Sequence, residues 1–119
     1  MMDNQQLERQ GSAAADVIYH DAQLRVVRTG ARAVAMYGEI DISNSQAVAD
    51  VLALVHADAG DVIVADVGGL AFVDVSGMRI LALPHLEVTA RWLWLCNVPH
   101  NLRRLLTILD WDPVSALLR

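Results

Sequence analysis

The 119-residue chain contains no lysine; all nine of its basic residues are arginine. A phosphate-binding P-loop needs a lysine at the phosphates, so Gly68-Gly69 does not belong to one. Basic runs are also missing, and only Arg103 and Arg104 stand side by side. With 14 acidic residues and a net charge of −5, the surface repels phosphate backbones, and direct nucleic-acid binding is not expected. The single cysteine, Cys96, excludes a disulfide framework and a zinc site built on cysteine pairs. Within the apolar run Trp92-Leu93-Trp94-Leu95-Cys96 it reads as a buried thiol packed as a small hydrophobe. The four histidines, His20, His56, His85 and His100, never fall at the i, i+4 spacing of a metal-binding helix. No metal, no cofactor and no catalytic residue is therefore expected. No stretch approaches the roughly 18 to 20 apolar residues of a membrane span, so no membrane insertion is expected. The opening residues lack the charged start and apolar centre of a secretory signal. The expectation is a soluble, cytoplasmic protein.

What is present suits a single folded unit. At 55% hydrophobic residues the chain can fill one core, and its length fits one domain. Residues 1–15, rich in Gln, Asn, Ser and Ala without periodic apolar positions, read as a flexible tail, leaving 16–119 as the domain. Leu24 to Arg28 and Ala33 to Tyr37 flank Thr29-Gly30-Ala31-Arg32 and predict a β-hairpin. Ser43-Asn44-Ser45-Gln46 matches a capping box with Ser43 as N-cap. Behind it Val48, Val51, Leu52 and Val55 trace one face of a helix that Gly60 is placed to end. Asp61 to Val67 reads as a central strand buried on both faces, and Trp92 to Cys96 as another buried strand. A second helix is expected from about Ser76, compromised at Pro84. Pro99 suits the first turn of a third helix carrying Leu102, Leu105, Leu106 and Leu109, while Val114 to Leu118 are too few to assign. Strands alternating with helices after an opening hairpin predict an α/β sandwich, a mixed sheet of four to five strands covered by helices.

The segment from Asp66 to Arg79 carries the most information. It is read as leaving a buried strand, crossing a turn at Gly68-Gly69 and entering a helix at Asp74-Val75-Ser76-Gly77. Asp74 and Ser76 stand where they could cap that helix, whose free N–H groups and dipole favour anionic neighbours. Capping alone accounts for them as well as a functional role does. Gly77 lets another backbone approach closely, which serves docking and tight packing equally. An aspartic-protease site is excluded, since it needs Ser or Thr directly after Asp and a second such carboxylate.

The segment resembles the signature of the STAS family, which includes bacterial anti-sigma factor antagonists. Gly38-Glu39-Ile40-Asp41 is similar to that family's Gly-Glu-hydrophobic-Asp element before the first helix. Asn97-Val98-Pro99 with Leu102-Arg103-Arg104-Leu105-Leu106 resembles its last strand-to-helix passage. In the family the helix start carries Asp-Ser-Ser-Gly, and a partner kinase phosphorylates the first serine. Here that position is Val75, and Ser76 matches the second serine. The phosphorylation switch is then either absent or moved to Ser76. The resemblance implies an anti-sigma factor antagonist that binds an anti-sigma factor, of serine-kinase type, and so releases a sigma factor for transcription. It places the partner-binding face on Asp41, Ser43 and Asn44 together with Asp74, Val75, Ser76, Gly77, Met78 and Arg79. The alternative is a STAS adaptor subunit of another assembly, transporter-associated or signalling, that is not phosphorylated. A small-ligand sensor using the apolar interior is a third reading, supported only by the high apolar content.

Overall fold

The computed structural model describes residues 16–86 and 92–108. The tail expected over 1–15, Leu109 of the expected third helix, and 114–118 lie outside the described residues. Leu24–Gly30 (β2) and Ala33–Ile40 (β3) form the expected antiparallel hairpin. A further strand, Val17–His20 (β1), pairs antiparallel with β2. Its four residues include a break in register, too short and irregular to show a period of two in the sequence. The chain then passes through a helix, Ser45–Ala59 (α1), to Ile63–Val73 (β4), which lies parallel to β3. It returns through Val75–Leu86 (α2) to Leu93–Cys96 (β5), parallel to β4, and ends its described part in His100–Ile108 (α3). The strands lie in the sheet in sequence order, β1-β2-β3-β4-β5.

One face of this mixed sheet builds the core. Val26, Met36, Ile63, Val67 and Leu95 from the sheet join Val48, Leu52 and Val55 of α1, Met78 and Leu81 of α2, and Leu102 and Leu106 of α3. All three described helices thus contribute to a single core. On the other face Tyr37 and Val64 are exposed, and Trp94 and Cys96 are half-buried. The strand expected to be buried on both faces is therefore buried on one. No helix core residue lies against the second face among those described. Cys96 is likewise not the core thiol the sequence suggests, because alternation along β5 sends Leu93 and Leu95 inward and Cys96 outward. Burial raises its thiol pKa, and the Asp66 carboxylate adds to that shift.

Strand β4 departs furthest from expectation. It continues six residues past Val67, so Gly68 and Gly69 lie inside a strand and form no turn. The reason is in its pairing with β3, where Ala35 and Tyr37 face Asp66 and Gly69, and Gly38 and Glu39 face Leu70 and Phe72. Each step gives β4 one extra residue, the mark of a β-bulge. Two bulges stretch the inward spacing to three, so Val67, Leu70 and Val73 all reach the core. Three-residue spacing has no strand period, which is why the sequence reads as a loop there.

Two helix ends also differ. The N-cap of α1 is Asn44 and not Ser43, and the Gln46 side chain bonds Asp50 at 3.0 Å instead of reaching back. Ser43 is drawn into the preceding turn by Asp41. Gly60 does end α1, in the left-handed conformation with φ 69°, its N–H bonded to the His56 carbonyl. Helix α2 runs through Pro84 to Leu86. Proline removes one N–H from the ladder, and the described helix continues two residues beyond it.

If β4 carries the core through Leu70, which is 5% exposed, Leu70→Ala should destabilise the protein by about 2–5 kcal/mol in urea unfolding. A residue in an exposed turn would change stability by less than about 0.5 kcal/mol.

Candidate docking surface

Parallel pairing brings the C-terminal ends of β3 and β4 together. Ile40 stands opposite Val73, and the Asp74 N–H donates to the Ile40 carbonyl at 3.1 Å. The loop after β3 (Asp41 to Asn44) and the start of α2 (Asp74 onward) therefore share one edge of the sheet.

In the first loop the Asp41 carboxylate accepts the Ser43 N–H at 2.9 Å and the Ser43 hydroxyl at 2.5 Å. The Asp41 carbonyl accepts the N–H groups of Asn44 and Ser45 at 3.1 and 2.8 Å. This tight turn leaves Ile42 between them 78% exposed. The Ser43 hydroxyl holds the Asp41 carboxyl below its ordinary pKa, with the Gln23 side chain and the Ser43 N–H adding to it.

In the second segment Asp74 is the cap of α2. Its Oδ1 accepts the Gly77 N–H at 3.0 Å and the Ser76 hydroxyl at 2.6 Å. The Ser76 hydroxyl is the main cause that holds the Asp74 carboxyl below the usual range, and N–H groups of Gly77, Ser76 and Ile42 contribute. The last of these lies on the other loop, which adjoins Asp74. Ser76 is half-buried with its hydroxyl turned to Asp74, whereas Val75 beside it is 57% exposed.

The residues suggested by the sequence divide into two groups. Asp41, Ser43, Asp74, Val75, Ser76 and Arg79 keep exposed or partly exposed surface. Asn44, Gly77 and Met78 are buried. Asn44 is 2% exposed and Met78 fully enclosed in the core. A Cβ on Gly77 would stand 2.7 Å from both Ile40 Cγ2 and Val73 Cγ1. Gly77 therefore admits the two sheet ends of its own fold against α2, and these three residues shape the surface from behind.

Two exposed apolar residues in or within two positions of these loop segments had no place in the sequence reading. Ile42 is one; Phe72, 51% exposed and in register with Glu39, is the other. Phe72 lines a narrow cleft with Asn101 and Leu105 of α3. An apolar residue set between Asp41 and Ser43 in a polar turn was the available signal for Ile42. For Phe72 there was none while β4 was taken to end early. Both are exposed apolar side chains at the C-terminal ends of β3 and β4, the same ends that carry Glu39, Asp41 and Asp74. Exposed aromatic and aliphatic groups near charged ones are suited to protein–protein contact. No described helix is long and apolar enough to cross a membrane, and no metal-binding group of three His, Cys, Asp or Glu occurs among the described residues.

A five-stranded mixed sheet in sequence order, with helices packed on one face, is a STAS-type α/β fold. A solved structure with this fold is that of the anti-sigma factor antagonist SpoIIAA in its unphosphorylated form. It superposes with a TM-score of 0.60 over 81% of this chain and 85% of the other, at 17% sequence identity. At that identity the likeness establishes the fold. No protein-family model and no curated protein sequence matches the chain.

Asp74→Ala removes the acceptor of an N-cap bond and should lower stability by about 1 kcal/mol in thermal or urea unfolding. Because the native Asp74 carboxyl is depressed, its contribution is complete above the unfolded value of about 3.9 and fades as pH falls through the lower native value. The variant should therefore lose less stability than the parent on acidification through that window.

Proposed function

We propose that the protein is an anti-sigma factor antagonist, a non-catalytic cytoplasmic docking domain. It binds an anti-sigma factor, of the serine-kinase type, and thereby releases a sigma factor. The observation that carries this is the joined pair of loops, in which Ile42 and Val75 project from turns braced by Asp41 and Asp74. The STAS fold shared with an anti-sigma factor antagonist supports it. Binding energy at such a face comes chiefly from desolvating the apolar residues, while the carboxylates around them select a partner with basic groups.

The switch differs from the family's. Phosphorylation would add about −1.5 to −2 charges to the docking loop and oppose an acidic neighbourhood. Val75 has no hydroxyl, and the Ser76 hydroxyl is committed to Asp74 at 2.6 Å. The protein therefore docks without regard to kinase activity. The same valine favours, as a second reading, a STAS adaptor subunit in a transporter-associated or signalling assembly. A pull-down that recovers a transport or signalling subunit and no anti-sigma factor would decide for it.

Pull-down and calorimetry against the anti-sigma factors of the source genome should recover one partner, and Ile42→Asp or Val75→Asp should weaken its binding at least about tenfold. Absence of binding to every candidate would overturn the proposal. Incubation with that partner and ATP should leave the intact mass unchanged, whereas Val75→Ser should gain one phosphate. A phosphate mapped to Ser76 in the parent protein would show that the switch had moved.

A further inference from the structure

Asparagine is among the best N-cap residues because its side chain satisfies free N–H groups of the first helical turn. Asn44 occupies the N-cap of α1 and makes no such bond. Its side chain is turned the other way and is fully used there. Oδ1 accepts the Asp41 N–H at 2.9 Å, and Nδ2 donates to the Glu39 carbonyl and to Asp21 Oδ2, both at 3.1 Å. With 2% exposure, water does not replace these partners.

Asp21, at the turn between β1 and β2, is equally committed. Its Oδ1 accepts the N–H groups of Gln23 and Leu24 at 2.7 and 2.8 Å, and its Oδ2 accepts the Tyr19 hydroxyl at 2.5 Å besides Asn44. The backbone adds a second tie, from the Glu39 N–H to the Gln23 carbonyl at 2.9 Å. That carbonyl would lie 2.0 Å from a Cβ on residue 38, whose φ is 121°, so only glycine permits the approach. Both ends of the segment 39–44 are thus fastened to a turn that is remote in sequence and meets the proposed partner-binding residues through Asn44 and through the Gln23 side chain beside Asp41.

We infer that the β1–β2 turn is a positioning clasp for the docking loop, with Asp21 as its central residue and Asn44 and Tyr19 as its anchors. The inference rests on the proposed docking role of Asp41 to Ser43. Asn44 gives up its capping bond to α1 and holds Asp41 instead. Asp41 then fixes Ser43, and Ile42 is presented between them at a set distance from Val75. Asp21 is a positioning residue: it reaches the partner only through the loop it orders.

The direct test is Asp21→Asn, which keeps the acceptor for Gln23 and Leu24 and sets an amide donor against the Asn44 donor. Amide hydrogen exchange at residues 41–45 of the free protein should accelerate at least tenfold, with residues 63–67 of β4 unchanged. Affinity for the recovered anti-sigma factor should fall about tenfold. Unchanged exchange at 41–45 would overturn the clasp, and faster exchange with unaltered affinity would overturn its positioning role. The exchange measurement needs no partner, so it decides the clasp independently of the docking proposal, which Ile42→Asp tests separately.

Tyr19→Phe is the milder variant should Asp21→Asn fail to fold. The Asp21 carboxyl stands at about 2, chiefly because of the Tyr19 hydroxyl, with Gln23, Asn44 and Leu24 assisting. The other titratable groups that bear on this cluster are Tyr19 itself, whose pKa is raised, and Asp41, which Asp21 repels. A depressed carboxyl keeps the clasp closed above its unfolded value and releases it as pH falls through about 2. In Tyr19→Phe the Asp21 carboxyl signal in NMR should titrate at higher pH, and protection at 41–45 should be lost at correspondingly higher pH. An unmoved midpoint would overturn the role given to Tyr19.

Discussion

The parallel pairing of β3 with β4 is the constraint on which the rest of this molecule depends. It sets Ile40 against Val73, and one backbone bond, Asp74 N–H to Ile40 carbonyl, continues the pairing past the last strand residues. Two loops some thirty residues apart in sequence then leave the sheet side by side. Their turns are each stabilised by an aspartate that accepts a serine hydroxyl and backbone N–H groups, Asp41 in one and Asp74 in the other. The result is a firm polar frame in which Ile42 and Val75 remain exposed.

Rigid presentation matters more here than the number of contacts. A docking surface that is ordered before the partner arrives avoids much of the ordering cost of association. The Asp74 cap, the Asp41 turn and the fully bonded Asn44 each remove freedom from an exposed residue. Val75 then has a clear consequence. In a frame this well satisfied, the position next to the helix cap carries neither charge nor hydroxyl, and the adjacent Ser76 is already bonded. Under the docking role proposed above, such a face suits standing contact with a partner better than control by added phosphate.

Much of the architecture was legible in the chain. The β2–β3 hairpin, the amphipathic α1 with Gly60 at its end, and the apolar β5 follow from local periodicity and turn chemistry. Legibility failed wherever a remote strand altered a local period. The two bulges that extend β4 through Gly68 and Gly69 exist only because β3 offers fewer residues over the same length. Strand β1 failed for the opposite reason, being too short to show a period at all. At the site, the aspartates and serines were visible as capping residues, but exposure could not be assigned. Met78 and Gly77 look like continuations of an exposed motif and prove to be core packing, while Phe72, which had no role in the sequence reading, stands half in solvent.

The sequence by itself determined the class of fold, the two helix-start segments that matter, and the absence of a hydroxyl at residue 75. These are properties of neighbouring residues, governed by spacing, capping chemistry and side-chain type. The tertiary structure alone decided which members of those segments face outward, that Asn44 leaves its helix uncapped to hold Asp41, and that Asp21 and Gly38 join β1–β2 to the loop after β3. The physical reason is that a hydrogen bond or a close backbone approach satisfies a group with whatever partner the topology brings near, and sequence distance carries no record of that choice.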